Sequence, residues 1–539
     1  MTPHDDSLHT LADLLKSRAG LSRDTVYGIF PDQTITYGAL LERSTRFAKG
    51  LVAMGLEPGD HVAIMMPNCL HFMVAHFGVQ LAGGKSVLLN ARFKQHELQQ
   101  VLGHSDACIL VTTDCLDEQV NFAKLIATTY PEVENARSGE DLAIAAAPKL
   151  RRLVLLGNTP WAAALSEQAL GELGESVAQE RLTRAQATQG VEETAVMIFT
   201  SGTTAAPKAC ELSHAGLQRS WRIYSRAVDL GEGEKVWDPM PFFHSGGIGL
   251  MTGIMARGAS IMTTPYFDPE LIAGLIEKYR VGHLYPGFHT LALPVLQSSC
   301  YDRARWSGFV KSMVNVGPLG TQQVIRDMLP AGIPIMNLFG MSESSGLLTL
   351  APPDAPEAVR LASSGRPLHG AEVRVVDPET LQDLPAEQRG EILFRGAGAF
   401  RGYYKDPVAT RAAILPGGWV RTGDQGVYDK DGWLFFLGRL KDVLKVGGEN
   451  VSASELESFL SGHPAVKFVQ IVGKPDDYLG EVPVAFVELN PDMTATPQEI
   501  VEFCRGKIAT YKIPYQVRFV TEWPMSATKI QKFRLKALL

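Results

Sequence analysis

Short β-branched or aliphatic runs alternate with amphipathic stretches along more than half of this 539-residue chain. The run at 61–66 predicts a buried strand, the stretch at 69–83 a helix, and the run at 86–89 the next strand. This alternation is typical of a wound parallel sheet with helices on its faces. Further predicted strands lie at 107–112, 152–156, 195–200 and 259–262, with helices at about 213–228 and 269–279. The sequence therefore predicts a large α/β domain.

The pattern changes near residue 371, where short strands with turn signals replace the alternation. Asp431-Gly432 predicts a hairpin turn within a β-rich subdomain of about 371–438. Beyond it, a helix at 453–461, two strands and a helix at 497–509 predict a small α+β domain. We expect an N-terminal domain over 1–438 and a C-terminal domain over 439–539, with 127–189 forming surface connections.

Composition limits the classes of partner. The chain has 51 Lys+Arg and 58 Asp+Glu, a net charge of −7, so no overall attraction to nucleic acid is expected and any phosphate site must be local. The N-terminus is polar and acidic, which predicts a cytoplasmic protein without a signal peptide. The apolar run at 246–262 contains Arg257 and is too short to span a membrane. Six scattered cysteines predict buried free thiols.

A loop rich in small and hydroxyl-bearing residues follows the predicted strand at 195–200 and precedes a predicted helix. Small residues allow the backbone to approach an anion, hydroxyl groups can bind phosphate oxygens, and a lysine can neutralise their charge. The candidate residues are Thr200, Ser201, Gly202, Thr203, Thr204 and Lys208. The loop is not a Walker A motif, and taken alone it is equally compatible with an ordinary polar loop.

Further segments follow this loop in a fixed order: Pro-Phe-Phe-His at 241–244, Asn-Leu-Phe-Gly-Met-Ser-Glu at 337–343, Gly-Glu-Ile-Leu-Phe-Arg-Gly at 390–396, Arg-Thr-Gly-Asp at 421–424, and Gly-Arg-Leu-Lys-Asp at 438–442. Together with the loop they resemble the signature of the adenylate-forming superfamily, in particular its acyl-CoA synthetase branch. The resemblance implies an enzyme that uses ATP, Mg²⁺ and coenzyme A.

The resemblance also implies nucleotide-binding roles. Phe339 corresponds to an adenine-stacking ring, with Gly340 and Ser342 beside it. Glu343 corresponds to the carboxylate that holds Mg²⁺. Asp424 corresponds to the acceptor for both ribose hydroxyls. Arg439 corresponds to a residue that contacts ribose or phosphate. Outside the motifs, such residues are more often core, surface or turn residues.

The acid would bind beside His244, which resembles a histidine at the mouth of the family's acyl pocket. Gly246, Gly247 and Gly249 follow it and would leave room for an acyl group, although turn glycines would look the same. The other predicted pocket segments, 285–289, 317–319 and 339–341, are mostly apolar. A hydrophobic monocarboxylic acid of medium- or long-chain, alicyclic or aromatic type is expected.

Near the C-terminus, the segment at 524–532 resembles the family's loop whose lysine bridges the substrate carboxylate and the α-phosphate. Lys529 is the predicted catalytic lysine, with Lys532 as the second candidate, because Thr528 stands where the family has glycine. The resemblance also implies a mobile C-terminal domain that turns about Lys441, and a pantetheine tunnel lined by Gly447 and Gly448.

Other departures from the family pattern retain the charged groups. Ala205 and Ala209 replace glycines, and Ser342 replaces a threonine. Thr200, His244, Glu343 and Lys529 are therefore expected to act in catalysis. The alternatives to a CoA ligase are a ligase that loads a carrier protein, a luciferase-like oxygenase and a nucleotide-binding regulator. A homodimer is compatible with the sequence.

Overall fold

The computed structural model describes residues 7–200, 207–316, 319–396, 398–446, 449–525 and 530–539. Two large sheets form most of the chain. Strands and helices are numbered in chain order. The first sheet contains β3 (His61–Met65), β4 (Lys85–Leu89), β5 (Ala107–Thr113), β6 (Arg152–Leu156), β7 (Ala164–Ser166), β8 (Thr194–Thr200), β9 (Lys208–Ser213) and β20 (Gly402–Tyr403). Its order is β20-β9-β8-β4-β3-β5-β6-β7.

The second large sheet has the order β14-β13-β12-β10-β11-β1-β2, and all its neighbours are parallel except β1 and β2. Its strands are β1 (Val26–Ile29), β2 (Thr34–Thr36), β10 (Lys235–Trp237), β11 (Ser260–Met262), β12 (His283–Phe288), β13 (Ser312–Val316) and β14 (Ile335–Met336). A small sheet next to it contains β15 (Leu338–Phe339), β16 (Thr349–Leu350) and β17 (Arg366–Pro367).

Helices cover and separate these sheets. They are α1 (Leu11–Leu21), α2 (Tyr37–Ala53), α3 (Leu70–Leu81), α4 (Gln95–Ser105), α5 (Phe122–Thr129), α6 (Glu167–Gly174), α7 (Gln179–Ala187), α8 (His214–Ala227), α9 (Ser245–Ala256), α10 (Pro269–Tyr279), α11 (His289–Leu296), α12 (Arg303–Trp306), α13 (Leu319–Met328), α14 (Glu357–Ala362) and α15 (Pro407–Ala413). Short 3₁₀ turns lie at Pro131–Asn135, Ser342–Ser344, Pro416–Gly418, Leu440–Asp442 and Thr510–Lys512.

The main core lies around α3 and α9, which are buried on nearly every side. Helices in this position are apolar all round rather than amphipathic. The side chains of α3, α8 and α9 join one hydrophobic cluster with residues from both large sheets. These internal helices fix the separation of the sheets, and therefore the positions of the loops at the strand ends.

The region after 370 forms an antiparallel sheet in the order β18-β19-β21-β22. Its strands are β18 (Ala371–Val376), β19 (Gly390–Gly396), β21 (Val420–Tyr428) and β22 (Leu434–Arg439). The C-terminal part contains β23 (Val443–Val446), β24 (Glu449–Ser452), β25 (Val466–Asp476), β26 (Gly480–Leu489), β27 (Gln516–Phe519), α16 (Ala453–Leu460), α17 (Pro497–Cys504) and α18 (Lys532–Lys536). It has its own hydrophobic cluster.

The mixed α/β fold with a large N-terminal and a small C-terminal part confirms the predicted fold class. The boundary at 438/439 stays a prediction. The helix expected over 497–509 ends earlier, at Cys504, because Arg505 adopts extended backbone angles and Gly506 has φ 70°. The stretch 127–189 does more than connect other elements, since it contributes two strands to the edge of the first sheet. One is the predicted strand β6, and the other, β7, was not predicted.

Two further expectations from the sequence concern membrane crossing and the burial of the cysteines. No helix among the described residues combines the length and apolarity that a membrane crossing requires. Four cysteines are buried as expected, but Cys115 and Cys300 are exposed, so the expectation of buried thiols is wrong for these two. Cys115 follows the end of β5 and Cys300 follows α11, and both therefore lie in surface connections.

Candidate active site

The predicted phosphate loop connects the antiparallel strands β8 and β9. Thr200 and Lys208 are cross-strand partners at its two ends, and Thr200 Oγ1 donates a hydrogen bond to the Lys208 carbonyl oxygen over 3.4 Å. A strand, rather than a helix, follows the loop, which the sequence did not predict. The other predicted phosphate ligands, Ser201, Gly202, Thr203 and Thr204, and the replacement Ala205, lie outside the described residues. The second replacement, Ala209, is a buried residue of β9.

Glu343 and Lys208 converge at the end of this hairpin through a residue that sequence analysis missed. Tyr403, in β20 beside β9, donates its hydroxyl hydrogen to Glu343 Oε1 over 2.6 Å. Lys208 Nζ lies 4.9 Å from the centre of the Tyr403 ring. Burial and the neighbouring Glu343 charge raise the pKa of Tyr403, so it stays a hydrogen-bond donor at neutral pH. The only sequence signal for Tyr403 was a Gly-Tyr-Tyr stretch between two predicted strands.

The loop that carries Glu343 packs closely on the start of α9. A Cβ atom at Gly340 would lie 2.3 Å from the Gly346 carbonyl oxygen, so no side chain fits there. Gly346 has φ 96°, and a Cβ atom there would lie 2.7 Å from the Ser245 carbonyl oxygen. Ser342 begins the 3₁₀ turn and is half-buried. The loop is therefore held rigidly beside His244.

His244 is the residue that precedes α9, and its ring centre lies 4.9 Å from that of Phe243. The glycines after it differ in role. A Cβ atom at Gly247 would meet the Pro241 carbonyl oxygen at 2.4 Å, whereas Gly249 packs directly on the Trp221 indole. At Gly246 the nearest atom is Met240 Cε, 3.6 Å away. Only Gly246 therefore leaves room for an acyl group, which corrects the expectation for the other two glycines.

Phe339, the predicted adenine-stacking residue, is 7% exposed and stacks on a second ring. The partner is Phe436 in β22, with ring centres 5.4 Å apart and planes at 24°. Phe436 is 42% exposed and was not identified from the sequence. Alternation along β22 was the available signal, since it places Phe436 and Phe435 on opposite faces. The flat apolar surface at this position is therefore formed by two rings.

Asp424 and Arg439 are cross-strand partners in β21 and β22. Arg439 Nε lies 2.9 Å from Asp424 Oδ1, and Arg439 also donates to the Thr422 carbonyl oxygen over 3.1 Å. The Asp424 side chain is 3% exposed and that of Arg439 39%. The pair predicted from separate motifs is thus assembled as a buried carboxylate beside a partly exposed guanidinium.

The residues predicted for the domain hinge and the pantetheine tunnel lie in and just after the connection to the C-terminal part. Lys441 is exposed in the 3₁₀ turn after β22. Part of the Lys441 side chain is nevertheless buried, and this burial is the main cause that lowers the pKa of its ammonium group. Gly447 and Gly448 lie outside the described residues, between Val446 and Glu449, which are paired in β23 and β24. The roles predicted for these residues stay predictions.

Lys529 also lies outside the described residues, but the chain on both sides of it is described. Met525 and Ile530 form an antiparallel bridge, and the Gln531 N–H donates to the Pro524 carbonyl oxygen over 2.7 Å. Lys532, the second candidate, is 2.7 Å from Glu457 Oε1 within the C-terminal part. Because this pair occupies the Lys532 ammonium group, Lys529 remains the predicted catalytic lysine.

The site offers few metal ligands from the protein itself. The described residues include no group of three or more His, Cys, Asp or Glu side chains placed to hold a metal ion. Mg²⁺ on a nucleotide does not need such a cage, since it is bound by one or two carboxylates together with phosphate oxygens and water. Glu343 offers a buried carboxylate oriented by Tyr403. The donor set therefore fits a nucleotide-bound magnesium ion.

Comparisons with known proteins show which family the whole chain resembles. A family model described as AMP-binding enzyme matches residues 15–404, and the model of the AMP-binding enzyme C-terminal domain matches residues 455–529. The chain is 32% identical to a putative acyl-CoA synthetase, YngI, of Bacillus subtilis, over 98% of this chain and 96% of that protein.

Two further proteins extend the comparison. The chain is 30% identical to 4-coumarate–CoA ligase 1 of Petroselinum crispum, over 94% of this chain and 89% of that protein. The crystal structure of ATP-bound MatB from Rhodopseudomonas palustris matches it with a TM-score of 0.83 and 25% identity, covering 98% of both chains.

Proposed function

The chain belongs to the AMP-binding enzyme family and is an acid–thiol ligase that uses ATP, Mg²⁺ and coenzyme A; from this premise we propose that it converts a hydrophobic monocarboxylic acid into its coenzyme A thioester. The observation that carries the proposal is the convergence of Lys208, Tyr403 and Glu343 at the β8–β9 hairpin. Lys208 at the end of the hairpin supplies a cation in this proposal, and Glu343 supplies a carboxylate that suits a nucleotide-bound magnesium ion.

In the first half-reaction a carboxylate oxygen of the acid bonds to the α-phosphorus of ATP, and the bond to the bridging oxygen breaks to release pyrophosphate. Asp424 accepts the ribose hydroxyls, while Arg439 contacts ribose or phosphate. Glu343 would hold Mg²⁺, which would neutralise phosphate charge when bound. Lys529 stabilises the charge that develops at the α-phosphorus, a contribution of about 10²–10³ in rate for a preorganised donor.

In the second half-reaction the sulfur of coenzyme A attacks the acyl-adenylate carbonyl carbon. The bond from that carbon to the AMP oxygen breaks, AMP leaves, and the thiol proton is released. A turn of the C-terminal domain about Lys441 brings Gly447 and Gly448 to the thiol path in this proposal. Both steps depend mainly on the positioning of reactants and on charge stabilisation.

The surroundings of Gly246 support an apolar acid. Met240 lies next to Gly246, and a Cβ atom at Gly287, between Tyr285 and His289, would meet Met240 Sδ at 2.7 Å. Met240 and Tyr285 are both buried. Candidate substrates are medium- or long-chain, alicyclic and aromatic monocarboxylates. The cytoplasmic location, the homodimer and the domain boundary stay predictions.

The proposal is tested by pyrophosphate release from MgATP with a panel of fatty, alicyclic and aromatic acids, with and without coenzyme A. We expect acid-dependent release with acyl-CoA as product, and its loss in Lys529→Ala and Glu343→Gln. Lys430→Ala is the matched control, because Lys430 is a surface lysine whose side chain is 77% exposed. Pyrophosphate release without acyl-CoA would indicate another acceptor or an oxygenase, and ATP binding without release under any condition would indicate a regulator.

A further inference from the structure

A buried carboxyl group that the proposed chemistry does not use lies at the end of β10. Asp238 directly follows this strand and is fully buried. Its N–H donates to the Met262 carbonyl oxygen, and its Oδ1 accepts the Met240 N–H, both over 2.9 Å. Its Oδ2 has no hydrogen-bond partner among the described residues, and neither has the hydroxyl of Tyr224, which is also fully buried. Buried polar atoms are nearly always paired, so two unpaired oxygens indicate a missing partner.

Asp238 lies at the edge of the sheet where ligands bind in wound α/β folds. In the parallel pair β10 and β12, Val236 is opposite His283 and Trp237 is opposite Leu284. The next step along this register brings Asp238 level with Tyr285, at the carboxyl end of β10. Binding crevices of open α/β sheets form outside this edge.

Aromatic contacts connect this position to the candidate active site. The Tyr285 ring lies 5.3 Å from that of Tyr224 and 5.7 Å from that of Trp221, measured between ring centres. Trp221 Nε1 donates to the Ser345 carbonyl oxygen over 2.8 Å, in the loop that carries Glu343. Met240, two residues after Asp238, packs next to Gly246. Tyr285, Trp221 and Met240 therefore connect the region of Asp238 and Tyr224 with Gly246 and with the loop that carries Glu343.

The charges in this region favour an uncharged partner. Burial raises the pKa of Asp238 well above its usual value, and Tyr224 and Tyr285 have raised pKa values for the same reason. The two phenols therefore carry their protons at neutral pH, and burial favours the uncharged form of the Asp238 carboxyl group. A second substrate carboxylate would lose hydration here without meeting a cation, and an amine would require a charged pair in a buried position. A hydroxyl group both donates and accepts, which matches a carboxyl group and a phenol.

We propose that Asp238 and Tyr224 bind a hydroxyl group at the end of the acid remote from its carboxylate, so that the substrate is a hydroxylated hydrophobic monocarboxylic acid. This inference rests on the proposed ligase function and names its substrate class more narrowly. Both residues then determine specificity.

The test compares matched acids: phenylpropanoate with its para-hydroxylated form, and decanoate with ω-hydroxydecanoate and ω-aminodecanoate. The readout is the ratio of kcat/KM for acyl-CoA formation between the hydroxylated and the plain acid. We expect the wild type to favour one hydroxylated acid by about 10-fold or more, since unpaired site groups penalise an acid without the hydroxyl. In Tyr224→Phe and Asp238→Leu this ratio falls towards one, because kcat/KM for the hydroxylated acid decreases.

Tyr27→Phe is the matched control. Tyr27 is also fully buried and lies near Asp238, but its hydroxyl already donates to the Met251 carbonyl oxygen over 2.9 Å. This variant should melt at a lower temperature and keep the wild-type ratio. Tyr224→Phe removes a single oxygen, so it tests the proposal even if Asp238→Leu does not fold.

A wild-type ratio near one for every pair would overturn the inference and leave buried water as the partner of both oxygens. A ratio that neither Tyr224→Phe nor Asp238→Leu changes would also overturn it, as would a preference for the amine. If no acid yields pyrophosphate or acyl-CoA, the proposed function itself fails. Activity with plain acids alone overturns only the hydroxyl assignment.

Discussion

Tyr403 donates its hydroxyl hydrogen to Glu343 Oε1 over 2.6 Å, across 60 residues of sequence. The bond orients the carboxylate that we propose as a ligand of a nucleotide-bound magnesium ion. Tyr403 also lies between Glu343 and Lys208, so a single phenol positions the anionic and the cationic side of the site.

Tyr403→Phe should therefore impair MgATP use more than use of the acid. Loss of a hydrogen bond to a metal-binding group typically costs about 10–100-fold in metal affinity or activity. The measurement is the dependence of pyrophosphate release on Mg²⁺ and ATP. Tyr404→Phe is the control, because the neighbouring Tyr404 hydroxyl donates to Asp106 instead, over 2.9 Å. Equal losses in both variants would contradict the role of Tyr403.

Asp424→Ala and Arg439→Ala should each raise the KM for ATP. A hydrogen bond to a charged group contributes about 1.5–3 kcal/mol, which corresponds to roughly 10–100-fold in affinity. The control is Arg395→Ala, since Arg395 forms an exposed cross-strand pair with Glu372 in the same sheet, at 2.8 Å. An unchanged KM for ATP in both site variants would exclude the predicted ribose contact.

Phe468→Ala should slow acyl-adenylate formation. The Phe468 ring of the C-terminal part stacks on His289 of the N-terminal part, with ring centres 5.7 Å apart. The Phe468 ring also contacts Trp523, which precedes the Lys529 loop. Aromatic pairs contribute about 0.5–1.5 kcal/mol, so a loss of roughly 2–10-fold is expected. The rate of acyl-adenylate formation is compared with thioester formation from isolated acyl-adenylate. Tyr478→Ala, at a 93% exposed residue of the same domain, should change neither rate.

Lys532→Met should destabilise the C-terminal part. The Lys532 and Glu457 side chains are 20% and 12% exposed, so removal of the lysine leaves a buried carboxylate without its cation. Breaking such a pair costs about 3–5 kcal/mol, whereas an apolar replacement of both partners is often neutral. Thermal melting should show a large loss for the single variant and recovery in Glu457→Leu/Lys532→Met. Arg505→Met, which breaks an exposed pair with Glu502, is the control.

Acid should destabilise the protein through His76. Burial lowers the pKa of this residue to about 3, from 6.5, and its Nδ1 lies 3.0 Å from Ser86 Oγ. Between these pKa values the unfolded chain binds the proton and the folded chain does not, so stability is lost as the pH falls through this window. From pH 7 to pH 5 the loss attributable to His76 is about 2 kcal/mol. His76→Gln should reduce the pH dependence of unfolding, and the exposed His96→Gln should not.

The α/β class and most of the candidate site residues could be predicted from the sequence alone. Strand and helix periods are local properties, and β3, β5, β6 and α10 lie within a residue or so of their predicted positions. Glu343, Asp424 and Arg439 could be identified as candidates from the motifs, because each stands at a fixed place within a short segment. The end of α17 and the strand after the phosphate loop were missed, since turns and pairing partners depend on contacts beyond the local pattern.

The tertiary structure shows which of these residues lie close together. It added Tyr403 and Phe436, whose roles come from neighbours on other strands, and it separated Gly246 from Gly247 and Gly249, which pack against the backbone and Trp221. It also showed that Asp238 is buried and that one of its oxygens has no hydrogen-bond partner among the described residues, whereas in the sequence it is one acidic residue before a proline. Burial and hydrogen-bond pairing depend on contacts between elements that are distant in the sequence, and the spacing of residues along the chain does not reveal these contacts.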